Sequence, residues 1–185
     1  MKKLHLGCGN IRIPGYINID CAETSAADML LNINEIDFYY QPETVDVIYI
    51  SHVLEHFYRI SIPLLLQKFF NILKPGGILR LAVPDWDAVV ERYNETKDLD
   101  EVIKLIYSNH HVPFDGHYHI WNFDTINRDL LSVGFTNIYK YDWKQTEHSN
   151  IDDFSRAYLP HDPEAIKTGN FNNHKLMSLN IEAIK

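Results

Sequence analysis

No run in this chain is long and apolar enough to cross a bilayer, which takes about 18–20 residues. The densest apolar stretch, residues 60–73, is interrupted by Ser61, Pro63, Gln67, Lys68 and Asn71. Basic clusters are missing too. Apart from Lys2-Lys3 there is no Lys/Arg run, and the net charge of −8 disfavours a nucleic-acid partner. Cysteine is scarce: Cys8 and Cys21 are the only two, so no disulfide framework holds the fold. Both fall at ends of expected strands; a disulfide between them is sterically conceivable, but two small buried thiols are the expectation. No leader-like segment precedes the first apolar run, since Met1-Lys2-Lys3 leads straight into Leu4, and a cytoplasmic location is expected. Repeats, low-complexity tracts and linkers are also absent. The 185 residues are read as one domain, 1–185, able to bury its own core, with segments 107–123 and 142–176 as capping insertions.

What is present begins with Leu4-His5-Leu6-Gly7-Cys8-Gly9-Asn10, an apolar run ending in two glycines. Eleven residues after Gly9, Asp20 closes a second apolar run. Glycines at a strand end admit close backbone approach by a ligand, and an acid at the neighbouring tip can accept ribose hydroxyls. The pattern suggests a nucleoside-containing cofactor. Strands are expected at 3–7, 16–20, 27–31, 45–50, 78–83 and 135–141, with a half-exposed final strand at 177–184 whose residues alternate in polarity. Ile62, Leu65, Leu66, Phe69, Phe70 and Leu73 share one helical face after Ser61 as cap, and Lys74-Pro75-Gly76-Gly77 ends that helix. Further helices are expected at about 85–95 and 98–108, and another after Asp124 or Thr125 that stops at Gly134. Alternating strands and helices imply an α/β fold with a mostly parallel sheet.

Gly7-x-Gly9, Asp20, the segment Asp46-Val47-Ile48-Tyr49-Ile50-Ser51-His52-Val53-Leu54-Glu55-His56 and the stretch Leu73–Gly77 occur in this order. Together they resemble the class I S-adenosylmethionine-dependent methyltransferases, in the small-molecule, type 11-like branch, over about residues 3–141. The resemblance implies a Rossmann-like seven-stranded sheet with an antiparallel last strand and S-adenosyl-L-methionine over the carboxyl ends of the first strands. It places Gly7, Cys8 and Gly9 at the methionine moiety and Asp20 at the ribose, with Cys21 beside it. Asn32 and Ile33 would flank the adenine, and Ser51, His52 and Leu54 would line the floor under the sulfonium. Two departures stand out. Only residues 10–15 separate the first two strands, with Pro14 among them, so the usual first helix is missing or reduced to a loop. The exposed sheet face must then be covered by residues 142–176 or by a partner subunit, as in a homodimer. The usual acid before the glycine turn is replaced by His5.

The resemblance implies methyl transfer to a small-molecule acceptor, most naturally an oxygen of a sugar or related metabolite, with no nucleic acid and no membrane as partner. Removing a hydroxyl proton suits histidine near neutral pH. The candidates are His52, His56, His111 and His119. His56 reads more readily as a packing residue satisfied by backbone than as a base. The segment 109–121 holds four of the ten histidines. It reads as an acceptor pocket, as a metal site built from His117, His119 and either His111 or Asp115, or as a capping loop. Spacing alone assigns no metal ligand. Asp85 is placed either to face the pocket or to cap a helix. The competing reading is a non-catalytic protein that binds S-adenosylmethionine, S-adenosylhomocysteine or a partner. A nicotinamide-dependent oxidoreductase is disfavoured, because the six-residue gap has no room for a third glycine at the head of a helix.

Overall fold

The computed structural model describes residues 1–108 and 115–185. Among them the strands are β1 (Lys3–Leu6), β2 (Ile17–Asp20), β3 (Met29–Leu30), β4 (Val45–Ser51), β5 (Leu73–Pro84), β6 (Thr136–Lys140), β7 (Tyr158–Leu159), β8 (Lys175–Leu176) and β9 (Ser178–Ile184). The helices are α1 (Ile36–Tyr39), α2 (Ile62–Ile72), α3 (Trp86–Thr96), α4 (Leu99–Tyr107), α5 (Phe123–Ser132) and α6 (Pro163–Thr168). Seven strands form one sheet in the order β3-β2-β1-β4-β5-β9-β6. β3, β2, β1, β4 and β5 run parallel; β9 inserts antiparallel between β5 and β6. β7 and β8 form a separate antiparallel ribbon.

Side chains alternate across a strand, so the register sorts them onto two faces. Leu4, Leu6, Ile48, Ile50, Leu79 and Leu81 fall on one face and are buried with Ile62, Leu65, Leu66 and Phe69 of α2 and with Ile126 and Leu130 of α5. The helical period expected for α2 is therefore its buried stripe, with Phe70 edge-on to Phe135. Ser61 precedes α2 but its side chain makes no capping bond; a 3-10 turn, Arg59–Ser61, leads in instead. Leu73 already pairs with Val45 of β4, and the register then shifts, so Lys74–Gly77 is a bulge inside an extended element. Gly77 is required there, because a Cβ would sit 2.8 Å from the Lys74 carbonyl oxygen.

The other face carries His5, Asn18, Tyr49, Arg80, Asn180 and Glu182. No helix connects β1 to β2. The connection is a loop pinned by the buried Asn18 amide. Its Oδ1 accepts from the Ile13 N–H (2.9 Å) and the His5 ring (3.0 Å), and its Nδ2 donates to the Ile13 and Tyr16 carbonyls and to Asp28. Residues 142–176 pack over this face. The His148 ring lies 4.5 Å from that of Tyr49, and the Tyr49 hydroxyl donates to Asp153. Glu147 accepts from Lys3, Tyr16 and Arg80 at 2.7–2.8 Å. Asn180 donates to the Ser155 carbonyl. The His5 position thus belongs to a polar layer, where a ring that bonds Asn18 and lies 5.3 Å from Tyr49 replaces an acid.

Three expectations are corrected. β9 is buried almost throughout rather than half-exposed, because its polar residues meet protein groups instead of water: Ser178 meets His52, Asn180 the Ser155 carbonyl and Glu182 Arg80. The cap of α5 is Asn122, which exchanges hydrogen bonds with Thr125 in a capping box; Asp124 plays no part. Cys21 is exposed beyond the end of β2, while Cys8 is buried; both thiols are free.

The polar layer sets an expected acid response. Asp28 accepts from the Asn18 backbone and side chain and from Arg12, which hold its carboxyl down at about 2. Partial burial pushes the Glu147 carboxyl up, but Lys3, Arg80 and Tyr16 outweigh this and hold it well below the usual range. Burial pushes the His5 and His148 rings below their ordinary value. All four groups bind protons more readily in the unfolded chain, so stability falls as the pH falls. The His contribution fades below about 6.5 and the carboxylate contribution from about 4 downward. Urea unfolding at pH 7, 5.5 and 3.5 is expected to show this decline, and Glu147→Gln should be less stable at pH 7 yet lose less between pH 5.5 and 3.5. A decline as steep as that of the unaltered chain would remove Glu147 from the effect.

Candidate functional site

The carboxyl ends of β1, β2 and β4 converge, as they must when neighbouring strands run parallel. Gly7 follows β1 with φ +67° and Gly9 with φ +52°. The two glycines differ in what demands them. A Cβ at Gly7 would lie 2.4 Å from a methyl of Val53, so packing excludes any other residue. A Cβ at Gly9 would meet nothing within 4 Å, so that side of the turn is open. Asp20 closes the turn: Oδ2 accepts from the Gly9 N–H at 2.7 Å and Oδ1 from the Ala22 N–H at 2.9 Å. Each oxygen keeps a second lone pair. Cys8 is turned into the protein, and burial together with the Asp20 charge pushes its thiol up. Cys21 sits beside Asp20 with its thiol raised in the same way.

After β3, Asn32 caps a 3-10 turn, accepting from the Asn34 N–H, while the Ile33 side chain joins the apolar core. After β4, Ser51 is buried and its Oγ has no hydrogen-bond partner among the described residues. His52 has φ +52°, a conformation that turns the chain sharply at the strand tip. Its Nε2 is 3.0 Å from Ser178 Oγ, its Nδ1 3.3 Å from Glu55 Oε1, and its ring 5.6 Å from Phe154 of the covering segment. Leu54 is buried in the core, so only its backbone faces outward. An open glycine turn, an acid with spare lone pairs and a buried hydroxyl without a partner among the described residues offer hydrogen-bonding groups to a polar ligand. Asp85, at the end of β5, caps α3 by accepting from the Asp87 N–H, and burial pushes its carboxyl up.

The four proposed proton acceptors lie in different surroundings. His56 Nδ1 donates to the Gly116 carbonyl, and its ring is 4.9 Å from that of His117. His119 stacks edge-on against Trp121 at 4.1 Å; burial, then the charge of Arg59, pushes its ring below the ordinary value. His111 lies outside the described residues. Sequence reasoning set Glu55 aside, yet it is fully buried with His52, His56 and His117 around it. Burial opposes its charge, but the rings of His52 and His56 more than offset this, so the carboxyl titrates below the ordinary range. The histidine-rich composition of 109–121 was the only signal for the His117 contact; nothing in the spacing tied it to His56 rather than His119.

A family model described as a methyltransferase domain matches residues 15–140. No curated protein matches the chain. Solved structures share the fold at low identity. One is an S-adenosylmethionine-dependent methyltransferase from Archaeoglobus fulgidus, 17% identical over all of this chain and 86% of that one, with a TM-score of 0.61. Another is a Mesorhizobium loti methyltransferase, 12% identical over all of this chain and 90% of that one, at 0.58. A third is 1,6-didemethyltoxoflavin-N1-methyltransferase from Burkholderia thailandensis with bound 1,6-didemethyltoxoflavin and S-adenosylhomocysteine, 13% identical over 99% of this chain and 70% of that one, at 0.58.

Proposed function

The chain belongs to the methyltransferase-domain family, in the class I fold, and on that basis we propose that it methylates an oxygen of a small hydroxylated acceptor, a sugar or a related metabolite. The observation that carries the reading is the convergence of Gly9, Asp20, Ser51 and His52 at three adjacent parallel strand ends. S-adenosyl-L-methionine supplies an activated methyl group when bound there. Asp20 holds the ribose hydroxyls with its spare lone pairs, and the open side of Gly9 admits the methionine part. Cys8, Cys21, Asn32, Ile33 and Leu54 contribute through backbone or by shaping the walls. His52 is best placed to take the acceptor's proton, because Glu55 lies behind Nδ1 and the acceptor hydroxyl can replace Ser178 at Nε2.

The acceptor class rests on charge and surface chemistry. A net charge of −8 disfavours a polyanionic acceptor. An open groove of about 480 Å³ along α3 is lined by Trp86, Asp87, Val90, Glu91, Asn94 and Glu95, an aromatic plane among hydrogen-bonding groups that suits a hydroxylated ring. It is lined by α3 alone, with none of Gly9, Asp20, Ser51 or His52 in its wall. Calorimetric titration with S-adenosylmethionine and S-adenosylhomocysteine is expected to show one site. Incubation with a panel of sugars, sugar nucleotides and amines is expected to release S-adenosylhomocysteine with hydroxyl acceptors. No binding of either cofactor form at millimolar concentration would overturn the reading, and methylation of amines alone would overturn the oxygen acceptor.

A further inference from the structure

Glu55 is the group whose surroundings its place in the fold does not explain. Its side chain is fully buried, and neither carboxylate oxygen accepts a hydrogen bond among the described residues. His52 Nδ1 approaches Oε1 to 3.3 Å without hydrogen-bond alignment. A buried carboxylate is costly unless it is paired or bound to a metal ion. Two imidazoles stand opposite it. One ligand atom each from Glu55, His56 and His117 lie within 4.8 Å of one another.

The hydrogen bonds of the two rings point the same way. His56 Nδ1 is 3.2 Å from the Gly116 carbonyl oxygen, and His117 Nδ1 is 3.0 Å from that of Leu105. A carbonyl can only accept, so each Nδ1 carries the proton and each Nε2 keeps its lone pair. A backbone carbonyl on one ring nitrogen with the lone pair on the other is the arrangement metal-binding histidines adopt. The two chain segments are also fastened together, since the Tyr118 N–H donates to the Glu55 carbonyl at 2.7 Å. Donors at about 2.1 Å around a tetrahedral ion lie about 3.4 Å apart, so ligand atoms within 4.8 Å of one another need to close by at most about 1.4 Å, within the reach of side-chain rotations.

We propose that Glu55, His56 and His117 form a binding site for a first-row divalent transition metal of the zinc class. Two imidazoles and one carboxylate select zinc and its neighbours over magnesium and calcium, which prefer all-oxygen sets. Three protein ligands leave a fourth position open, as exchangeable sites do and closed structural sites do not. This set differs from the His117–His119 pairing that sequence spacing suggests, because His119 is turned against Trp121. The site adjoins the proposed methyl-transfer site through the Glu55–His52 contact of 3.3 Å, but none of its three ligands is a group assigned to hold the methyl donor.

The test is zinc titration of the untagged, chelator-stripped full chain in competition with a chromophoric chelator, with cobalt(II) absorption as a second readout. One equivalent is expected to bind, with the visible bands of a four- or five-coordinate cobalt centre. Glu55→Gln and His117→Gln should each weaken binding more than tenfold, while His161→Gln, in the exposed part of the covering segment, should leave it unchanged. Zinc should also raise the melting temperature of the unaltered chain and not that of His117→Gln. If Glu55→Gln does not fold, His117→Gln, altered at a half-buried position, carries the test. Absence of stoichiometric binding overturns the proposal. So does binding that survives both substitutions undiminished, which would place the ion elsewhere among the ten histidines.

Discussion

Replacing Asn18 by alanine is expected to cost about 3 kcal/mol of unfolding free energy, a fall of about 10 °C in melting temperature for a chain of this size. The side chain is fully buried; its Oδ1 accepts from Ile13 and His5, and the two hydrogens of its Nδ2 are shared among the Ile13 and Tyr16 carbonyls and Asp28. Alanine takes away the partner of the Ile13 N–H, of the His5 Nδ1 and of the Tyr16 carbonyl, while the Ile13 carbonyl keeps the Tyr16 N–H at 3.3 Å. Each buried orphan costs about 1–3 kcal/mol, less whatever water recovers. Isolated surface substitutions usually stay within about 0.5 kcal/mol, so the effect is distinguishable. Urea unfolding followed by circular dichroism measures it. A loss below about 1 kcal/mol would mean that the loop at residues 10–16 holds its shape without the amide.

The second large effect concerns cofactor affinity. Asp20→Ala is expected to weaken S-adenosylhomocysteine binding tenfold to a hundredfold, about 1.4–2.7 kcal/mol, the range for losing charge-assisted hydrogen bonds to a ribose. Part of that loss comes from the protein, because Asp20 also holds the Gly9 N–H and the Ala22 N–H. Asp20→Asn separates the two parts. It keeps an acceptor for the turn while removing the charge, so its affinity should fall between those of the alanine variant and the unaltered chain. Calorimetry on both variants, with circular dichroism as the folding control, decides the matter. An unchanged dissociation constant in folded Asp20→Ala would remove Asp20 from the site.

The sequence was legible wherever one periodicity governed burial. The stripe Ile62–Phe69 faces a single apolar sheet face, so the helix and its buried side followed from spacing, as did the break at Lys74–Gly77. The strand order followed only from the resemblance. Alternation misled at β9: Ser178, Asn180 and Glu182 read as solvent-facing, whereas they bond His52, Ser155 and Arg80. Residues 142–176 showed no period because polar side chains, not an apolar stripe, fasten them to the sheet. In the candidate site, the pairing of the glycine turn with Asp20 was readable because the two are close in sequence. The grouping of Glu55 and His56 with His117 was not, since it depends on how the segment after α4 returns to the end of β4.

The position of β9 has a consequence for the order of assembly. Among the described residues, β6 has only β9 as a sheet neighbour, and β9 follows the whole of 141–177. As the chain lengthens, β1 to β5 can pair as they appear and Glu147 and Asp153 can reach Arg80 and Tyr49, but β6 must wait for the strand that separates it from β5. Glu182 meets Arg80, and Asn180 meets Ser155, only at that step. Pairings between residues so distant in sequence are slow to form. Until they do, the unpaired side of β5 is an open edge. The final strand therefore controls how long the nascent chain is exposed to misassociation.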